Sequence, residues 1–544
     1  MSGAVRAAID VRRCPWIRPL VGAYTHDFAS VAPLFAGDPA DPSAWRQTIA
    51  RVQQAPRDRQ ALAAVLTRQL ERRGAPDQAK HAVAVLEDPA SVAIVTGQQA
   101  GLFGGPLYSL LKAVTAVQLA QRVRDEFSTP AVAIFWVDEE DHDWQEIRSA
   151  GVLDADLQPR TVTLADVPGA GTQPVSRLVL DEGIDAALKD LGQALGPTDS
   201  TSELLDELRK SYRPGQGVSF AFAGWLDRLL GHHGLVVFES GDPSAKGMVA
   251  DLIARELEQP GRTARLAREA GEQMKRLGHQ PQVEPADDNV AAFFVDHQGR
   301  HAIKRAGDGC AIGEQIHSCQ ALADRARHSP EQFSPNVLLR PLVQDRLFPT
   351  VCYISGPSEL AYQAQLKPVY AEFGVEAPLL YSRATATLLD SSSARFLDRS
   401  QLPFEALHVQ DDSVFNKLLE SQLPPAIELA LGDTGREILR RAELLKQDVV
   451  ALDPTLGGAV DSTSERMQEA LKTLHHKIIQ AAKRKDETLR RQFQRTRSLA
   501  FPGGHPQERA VNMIFGLHRY GTGLVDRLIE TLPLDSGKHY VLTL

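Results

Sequence analysis

A chain of 544 residues exceeds what one hydrophobic core serves, so about two or three structural units are expected. Its 43% hydrophobic and 24% charged residues are ordinary for a globular protein, and aromatics at 6% leave a core built from Leu, Val, Ala and Ile. A formal charge of −9 offers nucleic acid no general attraction, and no stretch approaches the roughly 20 apolar residues that span a bilayer.

The N-terminus mixes Arg6, Asp10, Arg12 and Arg13 among short apolar pieces without a hydrophobic leader, so the cytoplasm is the expected location. About 80 residues then alternate turns with helix-like sequence, most clearly in "WRQTIARVQQAPRDRQALAAVLTRQLERRG". From Ser91, "SVAIVTG" reads as a buried strand running into glycine. The turn "GQQAGLFGG" follows, then a helix in "PLYSLLKAVTAVQLAQRVRDEF" with Pro106 at its first position. A second buried strand, "AVAIFWV", ends in the acidic run 138–143. Strand, glycine loop, helix, strand and polar loop predict a parallel sheet wound with helices.

"LVVFES", "TVCYISG" and "LLYS" are further strands without alternation, as burial on both faces requires. Segments near 160–220 and 265–330 read as insertions over the carboxyl edge of the sheet, and "AAFFVD" with "RHAIKR" forms a hairpin across "HQGR". From about Asp412 the pattern turns helical, with a turn at Pro454, Gly457 and Gly458. Met467, Leu471, Leu474, Ile478, Ala482, Leu489 and Phe493 then form one apolar stripe that needs a helical partner, with Met467 and Phe493 as packing residues. The charged residues Lys483, Arg484, Arg490, Arg491, Arg495 and Arg497 read as the wet face of that helix.

The predicted fold is therefore α/β. A Rossmann-like parallel-sheet core with insertions spans 1–410, an antiparallel coiled-coil hairpin 411–505, and a helix and strand at 506–544 dock back on the core. Cys14, Cys310, Cys319 and Cys352 make no CxxC pair and no zinc-finger spacing, and they suggest no disulfide framework. Cys352 lies inside an apolar strand and reads as core.

Three regions carry candidate chemistry. Gly101, Gly104 and Gly105, between a strand and a helix, would let a ligand approach closely, with Gln98, Gln99, Tyr108 and Lys112 as polar contacts. The loop is neither a dinucleotide fingerprint nor a P-loop, and a structural tight turn is its competing reading. Asp141, His142 and Asp143 follow a strand end, where open α/β sheets bind ligands; the histidine could move a proton and either aspartate orient it. No complete metal-ligand set can be assembled around them. In "YISGPSELAYQAQLKPVY", Gly356 and Ser358 open a helix that Ser358 could cap, with Tyr362 and Lys367 as substrate contacts. Arg340 and Arg383 could hold a carboxylate through paired hydrogen bonds or simply tie loops together.

Assembled in order, these segments resemble the bacillithiol biosynthesis cysteine-adding enzymes, the cysteine ligase BshC family. The resemblance rests on "TGQQAGLFGGPLYSLLKAVTA" at 96–116, "FWVDEEDHDWQEI" at 135–147, "LLRPLVQDRLFPTVCYISGPSELAYQAQLKPVY" at 338–370 and "ERAVNMIFGLHRYG" at 508–521. It implies amide-forming addition of L-cysteine to glucosaminyl-malate by a homodimer, with neither nucleic acid nor membrane as partner. It also implies a core similar to nucleotidyltransferases and class I aminoacyl-tRNA synthetases, although "GGPLY" stands where their HxGH-type signature would be. The cofactor is left open by the sequence: the family association makes an adenine nucleotide, ATP or ADP with Mg2+, the candidate, and the activating partner could also come from elsewhere. In that setting the 101–108 turn would wall the site, and Asp141, His142 and Asp143 would manage the amine proton or orient the sugar. Arg340 and Lys367 would neutralise malate or phosphate. The competing readings are a nucleotidyltransferase-like enzyme acting on another small polar substrate, and a non-enzymatic coiled-coil scaffold with a degenerate Rossmann core.

Overall fold

The computed structural model describes residues 4–198, 200–422, 425–485 and 487–544, with backbone alone at 4, 422 and 482–485. The chain forms two compact units, Met1–Leu388 with His505–Leu544, and Leu389–Gly504.

At the centre of the first unit, five strands run parallel in the order Leu379–Ser382, Thr350–Ser355, Val92–Gln99, Ala131–Asp138, Val236–Glu239. Numbered along the chain this is 5-4-1-2-3, the doubly wound Rossmann order, and it switches direction between Val92–Gln99 and Thr350–Ser355. Strands buried on both faces need no alternation, which is why these runs are almost wholly apolar. Helix Leu107–Phe127 is buried on most of its circumference because it lies on the sheet and beneath helices Met513–Tyr520 and Leu524–Thr531. Gln118 ties it to the latter, its Nε2 donating to the carbonyls of Ile529 and Leu532.

The second insertion builds a five-stranded antiparallel sheet in the order Gln315–Ser318, Gly309–Ile312, Arg300–Ala306, Asn289–Val295, Phe333–Pro335. The hairpin expected across "HQGR" is its Val295↔Arg300 pairing, with the Asp296 carboxylate accepting from the N–H groups of Gln298 and Gly299. The expectation of four unpaired cysteines needs correction. A disulfide joins Cys310 to Cys319 with Cα atoms 5.4 Å apart, because the intervening hairpin folds the start of helix Cys319–His328 back beside strand Gly309–Ile312. Cys352 is fully buried, and burial pushes its thiol pKa well up. The C-terminal strand Lys538–Thr543 lies between Ala4–Asp10 and Thr385–Leu389 in a third sheet.

One carboxyl fastens the inserted sheet to the core. Glu256, on helix Pro243–Glu258, is 1% exposed and accepts from the Ala291 N–H at 2.8 Å and the Thr263 hydroxyl at 2.5 Å. Burial raises its pKa from 4.5 to about 7. Between those values the native state holds more protons than the unfolded chain, so this group's stability contribution declines as pH rises and its full cost is present above about pH 7. Glu256→Gln is therefore expected to be more stable than wild type by on the order of 2–3 kcal/mol at about pH 8, with the gain vanishing near pH 4. Urea titrations at the two pH values measure this; a difference independent of pH contradicts it.

In the second unit, helices Pro425–Leu452 and Gly457–Lys485 pack against each other around the turn Pro454–Leu456. Lys446 pairs with Asp461 at 2.7 Å, Gln468 donates to the Gly435 carbonyl at 2.8 Å and His475 meets Glu428 at 3.0 Å. Partner numbers that rise on one arm and fall on the other define the antiparallel hairpin. Leu489 and Phe493 are buried, Phe493 against Phe396 and Phe415, and Phe404 packs on Phe501, so residues 389–410 belong with these helices. Met467, expected to pack, is instead 50% exposed, and Ile479 rather than Ile478 is buried. The side chains of Ala482, Lys483 and Arg484 lie outside the described residues. Among the described residues no helix is long and apolar enough to cross a membrane.

Candidate active site

A topological switch point opens a crevice beyond the carboxyl ends of the two strands that flank it. Here it is a cavity of about 740 Å3. Gly97, Gln98 and Gln99 enter it from the central strand, and Tyr353 and residues 356–359 from its switch-point neighbour. Asp138 ends the strand on the other side, Glu140, Asp141 and His142 follow it, Glu146 comes from the short helix beyond, and Arg300, Arg340, Arg383 and Arg509 from surrounding segments.

Lys112 occupies the floor. Side chains on a helix lean toward its N-terminus, so this residue, one turn after Tyr108, points back at the strand ends. Its Nζ donates to the Gly97 carbonyl at 2.7 Å and the Gln98 Oε1 at 3.2 Å, and it pairs with Glu359 at 2.5 Å. Burial pulls the lysine's pKa down, and Glu359 opposes the shift. Glu359 also accepts from the Gly356 N–H and the Tyr353 hydroxyl, each at 2.7 Å. The helix Pro357–Gln363 is thus capped by Glu359 reaching back, not by Ser358, which faces the cavity.

The acidic side is organised around Asp141. It accepts from Arg300 Nη1 at 3.0 Å, Gln99 Nε2 at 3.1 Å and the His142 N–H at 2.7 Å, and it lies 3.3 Å from His142 Nδ1. Arg300 is itself held flat on the Phe293 ring, 3.7 Å from its centroid. His142 is 41% exposed and therefore accessible from the cavity. Asp143 turns away from it: its carboxylate caps the short helix Trp144–Ile147 by accepting from the Glu146 N–H. Burial raises the carboxyl pKa values of Asp138 and Glu146.

The basic side consists of arginines. Arg340 donates to the Tyr362 hydroxyl at 3.0 Å and to Gln344 Oε1 at 3.2 Å, and lies 3.7 Å from Asp138. Arg383 pairs with buried Glu508 at 2.7 Å, and both Arg383 and Arg509 approach the ring of Tyr108. Gln98 Nε2 donates to the Tyr108 hydroxyl at 3.2 Å.

The structure thus gathers Gln98, Gln99, Tyr108, Lys112, Asp141, His142, Arg340, Gly356, Ser358, Tyr362 and Arg383 around one cavity. Gly101, Gly104 and Gly105 do not line it. Their N–H groups are spent on Gln99, Gly101 and Leu102 carbonyls, and that of Leu107 on Val511, so these glycines form no anion cradle. The glycines serve close packing instead: a Cβ on Gly104, at φ 93°, would meet Met513 Sδ at 2.6 Å and Trp225 at 2.9 Å. Lys367 also lies outside, donating to the Pro33 carbonyl at 3.1 Å. Sequence reasoning missed Arg300, which it read only as a strand residue, and Glu146 and Arg509. Among the described residues no three His, Cys, Asp or Glu side chains converge as a metal-holding group.

Residues 7–384 match the domain family described as bacillithiol biosynthesis BshC, N-terminal Rossmann-like domain, and residues 386–544 match its C-terminal coiled-coil domain. The chain is 32% identical over 524 residues to a protein of Salinibacter ruber named "Putative cysteine ligase BshC", with 95% of each chain covered. Proteins of the same name from Koribacter versatilis (32% identity, 88% of this chain and 89% of that one) and Symbiobacterium thermophilum (30%, 95% and 96%) are also similar.

Proposed function

The chain belongs to the bacillithiol biosynthesis BshC family, and from that premise we propose that it is a cysteine ligase, joining L-cysteine to glucosaminyl-malate through an amide bond. The observation that carries this reading is one switch-point cavity lined by charges of both signs, with Asp138, Asp141 and Glu146 among the acids and Lys112, Arg340, Arg383 and Arg509 among the bases. Glucosaminyl-malate likewise carries both signs, an ammonium on the sugar and two carboxylates on the malate.

Its amine becomes a nucleophile only after losing a proton. Asp141, fixed by Arg300 and Gln99, stands 3.3 Å from His142 Nδ1, and Arg300 Nη1 lies 3.5 Å from the same nitrogen; the imidazole so placed lines the cavity and is the group that would take that proton. The cysteine carboxylate must lose an oxygen, and an adenine nucleotide with Mg2+ would supply the leaving group. Lys112 and Arg340, which line the cavity, are the residues that would meet its phosphates, since the N–H groups of Gly101, Gly104 and Gly105 are already bonded. The test is mass-spectrometric detection of cysteinyl-glucosaminyl-malate from purified protein, acceptor, cysteine, ATP and Mg2+, omitting one component at a time. Product only with ATP is expected; no product under any combination overturns the reading.

The cytoplasm is the proposed location and a homodimer the proposed form. Leu439, Leu445, Leu452 and Met467 on the hairpin are 50–81% exposed, more apolar surface than a solitary helical pair leaves in water. Light scattering is expected to give twice the chain mass, reduced to one by Leu445→Asp with Met467→Asp; a wild-type monomer contradicts it.

A further inference from the structure

We propose that Arg509 grips a carboxylate of the acceptor and is presented to the cavity by the C-terminal segment; this rests on reading the cavity as the acceptor site. The other cations there are already engaged: Lys112 with Glu359, Arg300 with Asp141, Arg383 with Glu508, and Arg340 with Tyr362 and Asp138. Arg509 is exposed, lines the same cavity, and lies 5.7 Å from the centroid of the Tyr108 ring. Its guanidinium has no hydrogen bond or ion pair among the described residues.

The backbone carrying it is held on both sides. Before it, Gln507 exchanges two hydrogen bonds with the backbone of Leu388, and Glu508 accepts from the Ala386 N–H at 3.0 Å. After it, the Val511 carbonyl accepts from the Leu107 N–H, Asn512 Nδ2 donates to the Leu102 carbonyl at 2.7 Å, and the Met513 N–H donates to Gly105. The glycine turn therefore serves the site indirectly: Gly104 lets this segment close onto the strand–helix junction, where Gly105 accepts the Met513 N–H, and Arg509 is brought over Tyr108. A fixed backbone with one unpaired guanidinium at its tip is a prepared contact. A guanidinium against a ring face keeps its N–H edge free, and that planar fork matches a carboxylate.

The test is calorimetric binding of glucosaminyl-malate, L-malate and inorganic phosphate to full-length wild type, Arg509→Ala and Arg509→Lys, with thermal melting to verify that each variant is folded. Arg509→Ala is expected to weaken glucosaminyl-malate and L-malate about 10-fold or more, and Arg509→Lys to recover only part, because a charge-assisted bond is lost and then replaced without its fork. If wild type binds L-malate but not glucosaminyl-malate, and Arg509→Ala loses L-malate, the carboxylate contact stands and the aminosugar reading falls. Three results overturn the inference: unchanged malate affinities in Arg509→Ala, a loss confined to phosphate, or no binding of either malate compound by wild type.

Discussion

Arg73→Met is expected to leave little folded protein at ambient temperature. The Arg73 side chain is wholly buried, and it pairs with Asp227 at 2.6 Å and Glu239 at 2.5 Å, themselves 2% and 7% exposed. Its third contact is the Val237 carbonyl at 2.6 Å. One guanidinium thus joins helix Arg59–Arg73, helix Val218–Leu230 and the edge strand Val236–Glu239. Removing one partner of a buried pair costs roughly 3–5 kcal/mol, and here Asp227 loses its ion-pair partner while Glu239 keeps only Arg72 at 2.9 Å, against a typical total stability of about 5–15 kcal/mol. Adding Asp227→Asn and Glu239→Gln removes the stranded charges and should recover much of the loss. Urea unfolding followed by circular dichroism reads both effects; a loss below about 1 kcal/mol in the single variant contradicts the account.

Lys112→Met should affect stability and activity separately. Lys112 is 2% exposed, and its removal strands Glu359 and the Gly97 carbonyl, at a cost of roughly 3 kcal/mol. The same ammonium faces the cavity, so product formation should fall roughly 100-fold or more, as when a placed electrostatic donor is removed. Pairing Lys112→Met with Glu359→Gln should restore much of the stability and none of the activity. Recovery of both in the double variant would reduce Lys112 to a packing residue.

The α/β core was legible because buried parallel strands announce themselves by continuous apolar runs, and the strand–loop–helix punctuation around Gly97 and Pro106 is local. Strand order was not, since it depends on which distant segments pair. The glycine turn shows where local reading stops. Glycines ahead of a helix can free N–H groups for an anion or admit another segment, and the decisive neighbour, Met513, lies some 400 residues along the chain. Asp141 and His142 were visible as an acidic run at a strand end. Arg300, which clamps Asp141, comes from the hairpin of an insertion 159 residues further along the chain and carries no local mark. Lys367 shows the converse: a cation soon after a candidate helix looked like an anion contact, but its helix Lys367–Phe373 turns that side chain to the surface. The 310–319 spacing concealed the disulfide because only the folded hairpin brings the two sulfurs together.

The central claim is that the cavity between the central strand and its switch-point neighbour binds the acceptor. A crystal structure of the protein with glucosaminyl-malate tests it most directly. The account predicts the sugar amine beside Asp141 and His142 and the malate beside Arg509. Acceptor bound elsewhere, with this cavity empty, would contradict it.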